Sequence, residues 1–255
     1  MRLNVFLQRA GVGSRREAER LVAEGRVSVN GTTATATTPV LETDKVQLND
    51  RPITIETRDA PRLFVLNKPL DVLVTAKDSE GRKTVFDLPA LAKSNYRKPL
   101  PRLMYVGRLD VNSEGLLLMS TDGALAQRIM NPRTALPRVY RVRVFGKLSD
   151  RDLMQIRRGV TINGIRYRKA EIEQEADKGG RTNSWYRVTL YEGKNREIRK
   201  LMEHFGCVVN RLIRTQYGPF QLGDQEQGTL REIAPGQVLA FIASLPIPPT
   251  TTATS

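Results

Sequence analysis

The sequence predicts an α+β fold in two parts: a small N-terminal domain over residues 1–57 and a larger domain over 58–245 built on a mainly antiparallel mixed sheet. Three observations carry that expectation. Beyond residue 60, strand-like alternation (140–145, 185–191, 208–215) is interleaved with helical periodicity (124–130, 150–157, 197–205), with no regular βαβ rhythm. The first 57 residues hold their own helix–helix–hairpin pattern. Between the two, Thr57-Arg58-Asp59-Ala60-Pro61 has the composition of a linker. A chain of 255 residues is long enough for both parts to have a core.

In chain order, Leu3, Phe6, Leu7 and Ala10 fall at helical spacing, and Gly11-Val12-Gly13 stops that helix. Ser14 with Glu17 forms a capping box, so a second helix begins at Arg15 and buries Ala18, Leu21 and Val22 until Gly25 ends it. Val27 and Val29 alternate into Asn30-Gly31, a hairpin turn pair, and Val40, Val46, Leu48 and Ile53 complete a small sheet. Past the linker, residues 63–66 read as a short apolar strand running into Asn67-Lys68-Pro69. Leu116, Leu117, Leu118 and Met119 read as a buried strand that ends at the turn Thr121-Asp122-Gly123. The tail, 246–255, has almost nothing to bury and is expected to be disordered.

Composition narrows the function. The net charge of +14 favours a phosphate-rich partner, because lysine and arginine release counterions on meeting a nucleic-acid backbone. Nine basic and seven acidic side chains leave residues 1–58 with an excess of only +2, so +12 lies in the larger domain. One cysteine and one histidine make neither an intramolecular disulfide nor a conventional zinc site. There is no clustered carboxylate set for a metal, and no Gly-rich phosphate loop for a nucleotide. No apolar run approaches the ~20 residues that cross a bilayer. A cytoplasmic protein without cofactor, metal or membrane partner is expected.

The segment Gly107-Arg108-Leu109-Asp110-Val111-Asn112-Ser113-Glu114-Gly115 sets one carboxylate, Asp110, between an arginine and a Gly-flanked turn, immediately ahead of the buried strand. By itself this is a loop aspartate able to pair with Arg108. The longer string GRLDVNSEGLLLMSTDG closely resembles the catalytic motif of pseudouridine synthases of the RsuA/RluB type. RVYRVRVFG, EGKNREIRKLM and RLIRTQYGPF add to the resemblance, and the N-terminal pattern is similar to the αL-type RNA-binding domain. The details GRKTVFD and NSWY are closest to the members that act on large-subunit ribosomal RNA.

That resemblance implies an isomerase converting a uridine of ribosomal RNA to pseudouridine, with naked RNA or a ribosomal precursor particle as partner and the protein acting as a monomer. Asp110 corresponds to the essential catalytic acid, Tyr140 to a tyrosine that stacks on the target base, Arg199 to a basic residue that pairs with the acid, and Leu212 to a leucine packed against the site. Lys194, Arg196 and Arg108 are left as phosphate contacts, and Arg15, Arg16, Arg20 and Arg26 as an RNA-binding rim on the small domain. Where related synthases often carry His-Gln, this chain has Arg196-Glu197. Three alternatives stay open: a small-subunit synthase, a ribosome-assembly protein that binds RNA without chemistry, and a nucleoside N-glycosidase.

Overall fold

The computed structural model describes residues 1–10, 12–13, 15–41, 43–53, 60–91, 102–175 and 182–246. The chain divides into two compact units, Met1–Ala60 and Pro61–Ser255. The expected 57/58 boundary, the capping serine at position 14 and the tail beyond 246 lie outside the described residues.

The first unit packs α1 (Leu3–Arg9) and α2 (Arg15–Ala23) on a four-stranded antiparallel sheet of order β2-β1-β3-β4. Its strands are β1 (Val27–Val29), β2 (Thr32–Thr33), β3 (Val46–Leu48) and β4 (Arg51–Ile53). Leu3, Phe6, Leu7, Ala18, Leu21 and Val22 form its core, as the helical spacing predicts. Asn30 and Gly31, with φ of +52° and +82°, make the β1–β2 turn. A second turn of the same kind, at Asn49-Asp50, joins β3 to β4. Val40, expected on a strand, is a core residue outside any strand.

The second unit contains β5 (Leu63–Lys68), β6 (Met104–Val106), β7 (Glu114–Ser120), α3 (Gly123–Met130), β8 (Arg138–Phe145) and α4 (Asp150–Arg158). A small hairpin of β9 (Thr161–Ile162) and β10 (Ile165–Arg166) follows, then β11 (Glu171–Gln174), β12 (Asn183–Leu190) and α5 (Glu197–His204). The chain finishes with β13 (Val208–Tyr217), β14 (Phe220–Gln221), β15 (Leu230–Glu232) and α6 (Pro235–Ser244). Nine strands form one sheet with the path β11-β12-β8-β13-β7-β5-β15, β6 beside β7 and β14 beside β13. Every recorded pairing is antiparallel except β7 with β13. The α+β, mainly antiparallel expectation holds.

Strands β5 and β7 are buried along their whole length, which is why they read as unbroken apolar runs. On one side Leu63, Val65, Leu116 and Leu118 pack against α3 and α6; on the other Phe64, Leu66, Leu117 and Met119 pack against Val72, Val85, Leu103 and Leu109. Asp122 caps α3 by accepting from the Ala124 and Leu125 N–H groups at 2.7 and 2.9 Å. Further along the sheet, Val142, Val144 and Tyr186 bury against Ile156 of α4 and Ile198 and Met202 of α5.

One feature of this sheet positions the site. The β7–β13 pairing is confined to Glu114 with Ile213 and Gly115 with Arg214, after which β6 pairs with Leu118, Met119 and Ser120 of β7. The sheet therefore splits between β13 and β6, and the 107–113 loop leaves from the split. Gly115 is required there: its φ is +98°, and a Cβ would overlap the Arg214 carbonyl and sit 2.9 Å from the Arg214 nitrogen.

Candidate active site

Register places one row of side chains beside that split. Val188 of β12 pairs with Tyr140 of β8, Tyr140 with Arg214 of β13, Arg214 with Gly115 of β7, and Gly115 with Lys68 of β5. Directly opposed residues share a face of the sheet, so Tyr140, Arg214 and Lys68 project to the same side. Leu212, in register with Val142, lies one row further along this face and is buried.

Lys68 is fully buried, and its Nζ donates to the carbonyls of Pro69 at 2.8 Å, Val111 at 3.3 Å and Ser113 at 2.8 Å. Burial lowers its pKa to about 8, against the opposing pull of Asp71, Asp110 and Glu114. The ammonium thus holds the loop that carries Asp110 from below. Leu109 anchors the same loop in the core, and the Ser113 N–H closes it onto the Asp110 carbonyl at 3.0 Å. The buried carboxylate of Glu114 fixes the far end by accepting from Arg211 and, at 2.7 Å, from Gln227. Asp110 itself keeps 31% of its side chain exposed. It faces a cleft of about 550 Å³, whose lining also includes Arg108, Tyr140, Arg196 and Leu212.

The cation beside Asp110 differs from the expected one. Arg196 Nη1 lies 3.9 Å from Asp110 Oδ2. Arg199 instead donates to the Asn112 carbonyl at 2.7 Å and to the Val209 carbonyl at 3.1 Å, so it ties the Asp110 loop to the start of β13. Its Nε is buried without a hydrogen-bond partner among the described residues. Burial, then the charge of Arg196, push the Arg199 guanidinium below its ordinary pKa, and Asp110 acts in the opposite direction. The local reason is backbone: Arg196 adopts φ +51° as the residue preceding α5, which sends its side chain toward the loop a turn before Arg199.

Lys194, expected on RNA phosphates, is drawn to the Glu192 carboxylate and sits 5.6 Å from the Tyr167 ring centre. Its N–H donates to Glu197 at 3.0 Å. Glu197 is only 3% exposed, and one of its oxygens has no partner among the described residues. Burial, then the neighbouring Glu192 charge, push its pKa up to about 7. Tyr140 is half-buried at the cleft wall, and Arg108 is exposed at the cleft. In the first unit Arg16, Arg20 and Arg26 are exposed, with Arg20 3.7 Å and Arg26 3.2 Å from Glu24. The Arg15 side chain lies outside the described residues.

The sequence pattern assigned no role in the site to Lys68 or Glu197. The signal for Lys68 was present: a lone charge closing an apolar strand, directly before a proline, has no solvent to turn to.

A family model for RNA pseudouridylate synthase matches residues 62–204, and one for the S4 domain matches residues 1–46. An uncharacterised RNA pseudouridine synthase of Rickettsia felis is 42% identical over 91% of this chain and 96% of its own. A ribosomal large subunit pseudouridine synthase B of Yersinia pestis is 42% identical over 87% of this chain and 68% of its own. A crystal structure of a pseudouridylate synthase superposes with a TM-score of 0.63 over 94% of this chain and 98% of that one, at 22% identity, which supports the fold. The cleft therefore sits in a synthase domain preceded by an S4 domain, and the chain belongs to the RNA pseudouridine synthase family.

Proposed function

We propose that this protein isomerises one uridine of large-subunit ribosomal RNA to pseudouridine, in the cytoplasm and as a monomer, using Asp110 as its catalytic carboxylate. The observation that carries the reading is that Asp110 reaches the cleft from a loop immobilised by Lys68, Leu109 and Arg199, and that Tyr140 and Leu212 line the same cleft. The curated relatives named for the ribosomal large subunit favour that RNA over small-subunit RNA.

The reaction breaks the N1–C1′ bond, turns the base and forms C5–C1′; C5 loses a proton and N1 gains one, so composition is unchanged. The base has to leave its stack to present C1′ to a carboxylate, and the cleft volume of about 550 Å³ accommodates a flipped nucleotide. Asp110 acts at the ribose, as a nucleophile at C1′ or a base at C2′. Arg196 is the cation at ion-pair distance from Asp110, and Arg199 holds the loop in reach of the sugar. Tyr140 offers its face to the base, and Leu212 with Ile198 closes an apolar wall that retains the detached ring.

Mapping pseudouridines in ribosomal RNA from cells with and without the protein, and in a purified reaction, tests this. One large-subunit site should be lost without the protein and restored in vitro. A lost small-subunit site, or free uracil among the products, would overturn the assignment.

A further inference from the structure

Two arginines of the cleft have no carboxylate partner among the described residues. Arg214 is 2% exposed and Arg138 is 9% exposed. Arg214 Nε donates to the Leu116 carbonyl at 2.7 Å, and its Nη2 is buried with no hydrogen-bond partner among the described residues. Arg138 donates to the Leu136 and Glu192 carbonyls at 3.3 and 3.4 Å and to the Tyr217 hydroxyl at 3.1 Å. Both guanidinium groups lie over the buried Tyr217 ring, 4.8 Å from its centre for Arg138 and 5.2 Å for Arg214. The nearby Glu192 carboxylate is engaged by Lys194 and Arg168. Neither Arg138 nor Arg214 enters an ion pair among the described residues.

A backbone irregularity builds this group. Arg214 and Tyr217 are three apart and would point to opposite faces of a regular strand. A bulge between Arg214 and Gln216 leaves Thr215 without a partner on β8, so that Arg214 opposes Tyr140 and Tyr217 opposes Arg138. Tyr140 and Arg138 are two apart on β8, so all four side chains share the cleft face. Two buried positive charges at one ring, one with an unmet donor, are costly unless an anion joins them. A uracil carbonyl would meet the donor but would leave the charge unneutralised. A phosphodiester oxygen meets both, and the guanidinium fork suits it.

We propose that Arg138 and Arg214, aligned by the Thr215 bulge and the Tyr217 ring, form a buried phosphate site that binds the backbone linkage next to the flipped nucleotide and so sets how deep that nucleotide enters beside Tyr140 and Asp110. This rests on the reading of the cleft as an RNA-modifying site, and its test separates the two. The probes are two versions of one large-subunit RNA fragment, identical except that the linkages flanking the target uridine are phosphodiester or neutral methylphosphonate. Wild-type turnover on the natural fragment reports on the function alone. Equilibrium binding of both fragments, which needs no turnover, reports on the phosphate site.

Wild-type protein should bind the methylphosphonate fragment about tenfold to a hundredfold more weakly, the range for a hydrogen bond to a charged group. Arg214→Gln should lose a similar factor on the natural fragment and almost nothing further on the neutral one, the non-additivity expected of groups in contact. Arg138→Gln, which leaves the Arg214 bond to Leu116 intact, repeats the comparison should Arg214→Gln unfold. Losses that multiply in both variants, or wild-type binding indifferent to both neutral linkages, would overturn the proposal.

Discussion

The arginines of the two units contrast in a way that net charge conceals. Arg20 and Arg26 of the first unit are exposed and lie within ion-pair distance of Glu24. Arg138, Arg199 and Arg214 of the second unit are wholly or partly buried and are held by backbone carbonyls. An exposed pair in water contributes ~1 kcal/mol or less, whereas a buried guanidinium given only carbonyls keeps its charge available for a ligand. Function should therefore concentrate where cations are hidden, and mutational sensitivity should fall steeply from the cleft to the first unit.

The largest effect should belong to Asp110, the carboxylate that the proposed reaction places at the sugar. Asp110→Asn is nearly isosteric but removes the charge that either attack at C1′ or proton removal at C2′ needs, so turnover on a ribosomal RNA fragment should fall by ~10⁴-fold or more. RNA affinity should change little, since Asp110 is an acid in a basic cleft. Substantial single-turnover activity in purified Asp110→Asn would remove Asp110 from the chemistry.

Next come the two arginines of the third motif. Arg199 ties Asn112 to Val209, so Arg199→Ala frees the loop that aims Asp110 and should lower kcat by about 10²-fold, the cost of a slightly misplaced reacting group. Arg196 meets a carboxylate that is 31% exposed and is itself 50% exposed, so Arg196→Ala should cost no more than about fivefold. Measuring kcat for both variants on one RNA decides between them. The reverse ranking would make direct pairing at 3.9 Å more important than loop positioning.

Local pattern made much of this fold legible. The apolar run at Leu116–Met119 and the turn at Asp122-Gly123 announced β7 and its capped successor helix, and Asn30-Gly31 announced the first hairpin. The motif around Asp110 brought the acid, Tyr140 and Leu212 to one cleft. What stayed hidden depended on partners distant in sequence. Two of the three carbonyls that balance the burial of Lys68 lie more than forty residues away, which no window around it contains. The Thr215 bulge exists only in the pairing of β13 with β8, so alternation alone sends Arg214 and Tyr217 to different faces. Helix α6 is rich in apolar residues and weakly amphipathic, which leaves little 3.6-residue signal to read. Motif transfer named Arg199 but not its hydrogen-bond partners, because the left-handed turn at Arg196 is a backbone property.

A smaller effect tests the acidic side of the cleft. Glu197 has its pKa raised to about 7 from an ordinary 4.5, so the folded protein keeps its proton where the unfolded chain has lost it. The resulting stability penalty is absent below pH ~4.5, grows up to pH ~7 and is complete above it. Glu197→Gln should therefore melt several degrees above the wild type at pH 8, at roughly 2–4 °C per kcal/mol, and close to it at pH 4.5. Equal melting differences at both values would mean that burial does not raise the Glu197 pKa above that of the unfolded chain.

The smallest effect should come from the first unit. Arg16 is exposed on α2, well placed to meet a phosphate without ordering anything else. Arg16→Ala should weaken RNA binding by a modest factor that is uniform across sequences and leave kcat at saturating RNA unchanged. Its signature is in salt: each phosphate contact removed reduces the steepness of log K against log salt by about 0.7 on a single strand, the regime of a loop that yields its base, against about 0.9 for a B-form duplex. Arg214→Gln, by contrast, removes a buried contact and should alter depth of entry, and hence kcat, along with affinity. If Arg16→Ala lowered kcat at saturation while its salt slope stayed that of the wild type, an exposed first-unit arginine would be acting like a buried cleft residue. The division between hidden and exposed cations would then fail as a guide to function in this chain.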